Sequence, residues 1–189
     1  IWVGHPMGVD MWQGGQVRAV PLAFDGKPDP SVLSMANGRD GGLWIGTYDQ
    51  GVIHLPAAAE GAQARPWRID EAGGLPSNHV RALLERADGS LWIGSNEGVS
   101  VYRDGRIVRH YGAGDGLPAG NVYMLYETAQ GVLWIGTSNG MAMMRHDGTL
   151  QAWAPMSEFP AVAAFDFLAD PDGSLWIASD RGLLHWREG

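Results

Sequence analysis

The sequence predicts an all-β fold, a β-propeller fragment of about five four-stranded antiparallel blades, of which the first and the last are incomplete. Two features favour this fold: a tryptophan motif that recurs at a nearly constant interval, and turn sequences that use many of the 28 glycines in the 189-residue chain. The hydrophobic fraction of 45% is sufficient for a packed core. Few segments keep the apolar period of an amphipathic helix, so a helical fold is not expected.

The recurring motif is Leu-Trp-Ile-Gly-Thr or a close variant, at residues 43–47, 91–95, 133–137 and 175–179, with a weaker copy at 1–5. Its tryptophans lie 42, 48, 42 and 42 residues apart and are Trp2, Trp44, Trp92, Trp134 and Trp176. A repeat of this length is typical of a propeller blade. Both faces of a blade lie against other blades, which explains the uninterrupted apolar run. We therefore expect each of these indoles to fill the gap between two blades.

Each repeat has the same order of strands and turns. An apolar segment, such as residues 80–84 or 122–126, precedes the tryptophan strand, and two further short segments follow it. Asp40, Asp88 and Asp172 each precede a glycine in the turn between the first two strands. An aspartate can bond nearby backbone N–H groups in a turn, and glycine accepts the positive φ of a tight hairpin. We therefore expect four hairpin-linked strands per repeat, with these three carboxylates forming turns.

The whole chain is expected to form one partial propeller. The strands number three, then three sets of four, then three, in repeat units of approximately 1–21, 22–70, 71–112, 113–154 and 155–189. An Ala-rich insertion at residues 56–62 accounts for the longer spacing of 48 residues. Terminal repeats without a cap expose blade faces, so we expect self-association through the incomplete blades.

Composition excludes several classes of function. Thirteen Lys and Arg against 21 Asp and Glu give a net charge of −8, unlike a protein that binds the phosphate backbone of nucleic acids. The chain has no cysteine, which rules out a disulfide framework and a thiolate metal site. No apolar run approaches the ~18 residues of a membrane span, and the first residues do not have the pattern of a secretion signal.

The sequence offers little for catalysis or metal binding. It has no Gly-x-Ser-x-Gly motif, and its six histidines are at least 25 residues apart, so none forms a short-spaced ligand pair. A metal site assembled from several blades stays an alternative. His5, His54 and His185 are assigned to different repeat positions, whereas Glu85 and Glu127 share one and are assigned to architecture. We therefore predict no catalytic residue, metal or cofactor.

Candidate ligand-binding residues lie where the repeats differ, near the start of the first strand of each blade. These starts surround one mouth of the central channel, where polar groups of several blades converge. The candidates are His79, Arg81, Asn121, Tyr123 and Asp166, the last beside Phe165. Arg81 and His79 would recognise an anionic or sugar-like ligand on which Tyr123 stacks. Two alternatives stay open: the variation reflects relaxed packing, and Asp166 is a structural acid instead of a channel-lining one.

Two segments resemble a known repeat family. Residues 74–99 and 115–141 each combine a Gly-Leu-Pro loop, an apolar strand and the Leu-Trp-Ile-Gly motif, and this combination resembles the two-component regulator propeller repeat. The resemblance weakens at residues 157–160, which replace the Gly-Leu-Pro loop, and at Ala178, which replaces the motif glycine.

The resemblance implies the periplasmic sensing region of a bacterial inner-membrane receptor, with a histidine kinase or a diguanylate cyclase as its cytoplasmic output. The expected function is a ligand-sensing module without catalytic activity of its own, for an unknown small molecule or saccharide. No nucleic-acid partner is expected, and a membrane is reached only through other parts of the receptor. Two alternatives are a protein–protein interaction scaffold and a metal-dependent lyase similar to the streptogramin lyases, which also use propeller repeats.

Overall fold

The described residues form five antiparallel sheets. The computed structural model describes residues 1–57, 65–145, 147–153, 162–170 and 172–187. Blades 1 and 5 have three strands each: β1 Trp2–His5, β2 Gly8–Gln13, β3 Gln16–Val20; β16 Ala164–Ala169, β17 Leu175–Ser179, β18 Gly182–Trp186. Blades 2, 3 and 4 have four strands each: β4 Val32–Asn37, β5 Leu43–Thr47, β6 Val52–Leu55, β7 Trp67–Ile69; β8 Val80–Glu85, β9 Leu91–Ser95, β10 Gly98–Arg103, β11 Arg106–Tyr111; β12 Val122–Glu127, β13 Leu133–Thr137, β14 Gly140–Met144, β15 Leu150–Trp153.

The strands of each blade pair in chain order, each with the next through a hairpin. Blades pack on one another through their first strands: β4 contacts β8, β8 contacts β12, and β12 contacts β16. We call β4, β8, β12 and β16 the inner strands. Sheets that succeed one another around a row of inner strands form a propeller, so the predicted fold class is confirmed.

The Asp-Gly turns form as predicted. Asp40 Oδ1 accepts a hydrogen bond from Gly42 N at 2.9 Å, and Asp88 and Asp172 accept equivalent bonds from the backbone N–H two residues further on at 3.0 Å. The glycines that follow these aspartates have φ values of 80 to 86°, a region that glycine adopts without steric cost. Local turn chemistry therefore fixes the connection between the inner strand and the tryptophan strand.

The motif glycine is required by the packing of one blade on the next. A Cβ on Gly94 would lie 2.6 Å from Val122 Cγ1, at the start of the next inner strand. The same close approach relates Gly46 to Val80 and Gly136 to Ala164. Such distances are shorter than carbon–carbon contact allows. Glycine is therefore needed at this position because the next inner strand lies against its backbone.

Three of the five motif indoles lie buried between blades. Trp44, Trp92 and Trp134 have exposed fractions of 7%, 5% and 2%. Each belongs to an apolar cluster that includes side chains of the following blade, such as Val80 for Trp44 and Val122 for Trp92. Burial of an indole between two sheets contributes stabilisation that neither sheet supplies alone.

The other two motif indoles are not buried between blades as predicted. Trp2 is 36% exposed and lies at a cleft that Arg18 also lines. Trp176 is half-buried, because no described sheet lies on its face of blade 5; it stacks on His185 of its own blade instead.

Part of one predicted loop, and the whole of two other segments, lie outside the described residues. They are the Ala-rich insertion from residue 58 onward, the atypical loop at residues 157–160, and residues 188–189. Within the residues that are described, no helix has the length and apolar character needed to cross a membrane.

Replacing Trp134 by alanine is expected to lower the free energy of unfolding by about 3–5 kcal/mol, because a buried indole is lost and a cavity remains. Chemical denaturation followed by circular dichroism measures the change. Trp12→Ala is the matched control, since that indole is 45% exposed. Equal destabilisation by the two substitutions would contradict the buried position of Trp134.

Replacing Gly94 by alanine is expected to lower the free energy of unfolding by about 1–3 kcal/mol, because the added methyl group overpacks the contact with Val122. Gly114→Ala is the control, because its Cβ would meet no atom within 4 Å and its φ is not positive. Thermal unfolding of the two variants is compared. An unchanged melting temperature for Gly94→Ala would show that blade 4 does not lie against this glycine.

Candidate functional site

A β-bulge at the start of each inner strand positions the candidate site. In β8 the register shifts between Val80 and Ala82, which leaves Arg81 as the extra residue. The same shift occurs in the other three inner strands, and the four bulge residues are Leu33, Arg81, Tyr123 and Phe165. A bulge re-aims the side chain it carries. Because the inner strands lie side by side, the four bulges bring one variable side chain per blade to the same end of the channel.

The structure brings three of the predicted residues together. The Arg81 guanidinium carbon lies 5.6 Å from the centre of the Tyr123 ring. The Tyr123 ring lies 5.3 Å from the ring of Phe165, and the His79 ring lies 4.5 Å from that of Tyr48. We call Tyr48, His79, Arg81, Tyr123 and Phe165 the channel-mouth row. It offers aromatic faces beside one permanent positive charge.

The row is basic although the chain as a whole is acidic. Arg81 makes no salt bridge with any residue that the structure describes. Its Nε and the Nε2 of His79 are buried without a hydrogen-bond partner among the described residues. Burial, and next the charge of Arg81, lower the pKa of His79 below the usual 6.5. Unpaired buried polar atoms are costly, so this mouth is suited to a ligand that supplies acceptors.

Asn121 occupies the position in blade 4 that His79 occupies in blade 3, two residues before the bulge. Its backbone N–H donates to Ser138 Oγ at 3.1 Å, and its carbonyl accepts from Ser138 N at 2.9 Å. These bonds fix Asn121 to the turn after the tryptophan strand of its own blade. Asn121 therefore belongs to the same end of the channel without a described contact to Arg81.

Asp166 directly follows Phe165 but differs in register from the bulge residues of the row. Because the bulge in β16 falls at Phe165, Asp166 takes the register of Ala82 and pairs with Ala178. Its side chain accepts a bond from Phe167 N at 2.8 Å and lines a surface pocket with Leu168. Asp166 thus lies on the exposed face of blade 5, and Phe165 is the residue equivalent to Arg81 and Tyr123.

Two members of the row were not among the predicted site residues. Phe165 occupies a position where the repeats differ. The bulge that places it in the row could not be inferred, because a sequence pattern alone gives only the regular alternation of a strand. Tyr48 follows the tryptophan strand at a position where the later repeats have Asn96, Ser138 and Asp180. Its departure from these polar residues was the available signal.

The histidine assignment needs one correction. His54 and His185 were placed at different repeat positions, yet each pairs across strands with the motif tryptophan of its blade, Trp44 or Trp176. The His54 and Trp44 rings lie 3.9 Å apart, and those of His185 and Trp176 lie 4.1 Å apart. In the described part of the chain, no three or more His, Cys, Asp or Glu side chains group in a way that could hold a metal ion.

The far ends of the inner strands have the opposite chemistry. Glu85 Oε2 accepts from Trp44 Nε1 at 2.8 Å and from Arg39 N at 3.0 Å, which ties blade 3 to blade 2. Glu127 accepts from Arg86 Nε at 2.9 Å and ties blade 4 to blade 3. The predicted architectural role of these glutamates agrees with these bonds. The inner strands therefore run from a basic, aromatic end to an acidic, internally paired end.

Comparison with known families finds a repeat that three segments of the chain match. The model of the two-component regulator propeller matches residues 26–49, 74–97 and 116–139, which cover the loop, inner strand and tryptophan strand of blades 2, 3 and 4. Three segments of the chain, together less than half of its length, match this repeat. A sequence comparison with curated proteins finds no match.

Solved propellers with the same architecture support the fold. The extracellular domain of a hybrid two-component system of B. thetaiotaomicron has a TM-score of 0.80 at 20% identity, over 94% of this chain and 24% of that one. A second such domain from B. thetaiotaomicron has a TM-score of 0.72 at 16% identity, over 100% of this chain and 29% of that one. Virginiamycin B lyase of Staphylococcus aureus has a TM-score of 0.67 at 14% identity, over 96% and 63%. This chain thus spans about a quarter of the length of each of the two extracellular domains.

The titration of His79 tests the electrostatics of the row. We expect a midpoint below 6.5 in NMR titrations, and a partial rise in Arg81→Gln because burial, the larger cause, persists. Since the folded state resists protonation, stability is lost as the pH falls from 6.5 through the lowered pKa of His79. Arg106→Gln, an exposed change on β11, is the control and leaves the midpoint unchanged. No response of His79 to Arg81→Gln would place the two side chains apart.

Proposed function

We propose that this chain is a ligand-binding sensor module of a bacterial signal-transduction receptor, outside the cytoplasm and without catalytic activity of its own. Two observations support the proposal. The repeats are those of two-component regulators, and two similar propellers are extracellular domains of hybrid two-component systems. The ligand would bind at the channel-mouth row, and the output domain would belong to another part of the receptor.

The observation that carries the proposal is the unpaired Arg81 beside aromatic faces. A guanidinium whose Nε is buried without a partner gains most from a carboxylate, phosphate or sulfate, which accepts two parallel N–H bonds. The Tyr123 and Phe165 rings, 5.3 Å apart, offer a surface on which a flat or ring-shaped body stacks. The ligand class that fits both features is an anion with a ring, such as an acidic saccharide.

Ligand binding at this row would favour one arrangement of the blades relative to one another. Arg81 belongs to blade 3, Tyr123 to blade 4 and Phe165 to blade 5, so one ligand would contact three sheets. A ligand that binds one arrangement of the blades better than another shifts the population toward it. This coupling is a route by which occupancy could reach the rest of a receptor.

The row is better suited to recognition than to catalysis. General acid or base catalysis needs a titratable group within hydrogen-bond reach of the reacting atom, usually oriented by a second group. Among the described residues, the charged neighbour that perturbs His79 is Arg81, which cannot exchange a proton at neutral pH. Some similar propellers are lyases, and turnover of the bound probe would favour that alternative.

The test uses galacturonate as the anionic probe and galactose as its neutral counterpart. We expect galacturonate to shift the backbone resonances of Tyr123 and Arg81, and the ring resonances of Tyr123, saturably. Galactose should bind at least about tenfold more weakly. Arg81→Gln should remove the difference between the two sugars, whereas Tyr123→Ala should weaken both by losing the stacking surface.

Arg106→Gln is the matched control, since it removes an exposed arginine from the outer strand of the same blade. Its affinity for galacturonate should equal that of the unchanged chain. Equal responses to the two sugars, or full galacturonate affinity in Arg81→Gln, would exclude Arg81 as the anion-binding group.

A further inference from the structure

A second cleft lies between blades 4 and 5, at the end of the inner strands opposite to the channel-mouth row. Its volume is about 320 Å³, within the range of small-molecule sites. Six side chains supply its aromatic and polar walls: Tyr126, Thr128, Gln130, Trp134, Asp170 and Trp186. We call it the blade 4–5 cleft.

A missing side chain distinguishes this cleft from the equivalent places between blades 2 and 3 and between blades 3 and 4. Glu85, Glu127 and Ala169 share one register position, because they pair with Leu91, Leu133 and Leu175 of the adjacent tryptophan strands. Between blades 2 and 3, the Glu85 carboxylate lies against Trp44 and accepts its indole N–H. Between blades 3 and 4, Glu127 binds Arg86, whose guanidinium carbon lies 5.6 Å from the Trp92 ring.

Between blades 4 and 5, Ala169 supplies no side chain that reaches so far. The preceding indole, Trp134, is 2% exposed. Its Nε1–H has no hydrogen-bond acceptor among the residues that the structure describes, although the equivalent group of Trp44 has one. The cleft therefore occupies space that a glutamate closes between blades 2 and 3 and between blades 3 and 4.

The walls of the cleft combine aromatic rings with a single carboxylate. The Trp134 and Trp186 rings are 5.5 Å apart at an angle of 62°, and Tyr126 is the third aromatic side chain. Asp170 is the one charged residue among the described lining residues, and its side chain is 39% exposed. Its Oδ2 accepts the Trp176 indole N–H at 2.7 Å and lies 3.9 Å from His185 Nε2.

Angled indoles, a tyrosine and a carboxylate form the kind of environment that attracts an organic cation. A quaternary ammonium group has no N–H donors, so it gains from the negative faces of aromatic rings and from a nearby carboxylate. We propose that the blade 4–5 cleft binds a quaternary ammonium ligand, with the partly buried Trp186 and Tyr126 rings beside the cation and Asp170 as its counter-ion. This site is separate from the channel-mouth row, and its test does not depend on the proposed function.

The probe is choline, compared with 3,3-dimethylbutan-1-ol, which has the same shape without the charge. Both are titrated into the ¹⁵N-labelled chain at constant ionic strength and at pH 8. We expect choline to shift the indole N–H resonances of Trp134 and Trp186 saturably, with an affinity at least about fivefold above that of the neutral alcohol.

Ala169→Gln fills the cleft with a side chain the size of the glutamate in blades 3 and 4 and adds no charge. It should abolish the choline response while the remaining amide resonances keep their positions. Leu168→Gln is the matched control on the same strand, because Leu168 is 65% exposed and does not line this cleft. Asp170→Asn should reduce the preference for choline over the alcohol without filling the cleft.

Three outcomes would overturn the proposal. They are equal responses to choline and to the neutral alcohol, a choline response that survives in Ala169→Gln, and a saturable response to methyl glucoside in place of choline. The last outcome would assign the cleft to a neutral sugar. If Ala169→Gln disturbs folding, loss of the choline preference in Asp170→Asn decides the question alone.

Discussion

The packing of each inner strand against the glycine of the preceding tryptophan strand is the contact on which the rest of the structure depends. Val80, Val122 and Ala164 lie against Gly46, Gly94 and Gly136, so closely that a Cβ on the glycine would overlap them. This approach brings the next sheet over the indole, which is then buried between two blades. Protein interiors are close-packed, so one additional methyl group at this contact lowers stability. The motif Leu-Trp-Ile-Gly thus encodes the contact between blades as well as the strand.

Both candidate sites lie at positions where the packing between blades does not restrict the choice of side chain. At one end of the inner strands, the bulge residue lies outside the packed interface, and each blade carries a different side chain there: Leu33, Arg81, Tyr123 and Phe165. At the other end, a glutamate joins blades 2, 3 and 4, and Ala169 leaves a cleft in the last interface. Residues that differ between repeats at the same register position are therefore the best candidates for ligand contacts.

Much of the fold follows from sequence because its determinants are local. Asp-Gly turns set the hairpins, and the repeated motif sets the strand order, so the predicted count of strands agrees with the count in the described residues. The register of the strands was harder to predict from the sequence. The turn after Thr47 is one residue longer than that after Ser179, which hid the equivalence of His54 and His185. The bulges were likewise not predicted, so nothing in the sequence indicated that Phe165 shares the register of Arg81 and Tyr123. Ala169 gave no signal, since its role is the absence of a side chain.

The contact between blades can be measured directly by nuclear Overhauser spectroscopy on a chain with labelled valine methyl groups and glycine α-protons. Our account predicts cross-peaks between the Val80 methyl groups and Gly46, and between those of Val122 and Gly94. Each pair belongs to successive blades and is distant in sequence. Absence of both cross-peaks in the folded chain, or contacts of these valines with a different blade, would contradict the arrangement of the sheets around the inner strands.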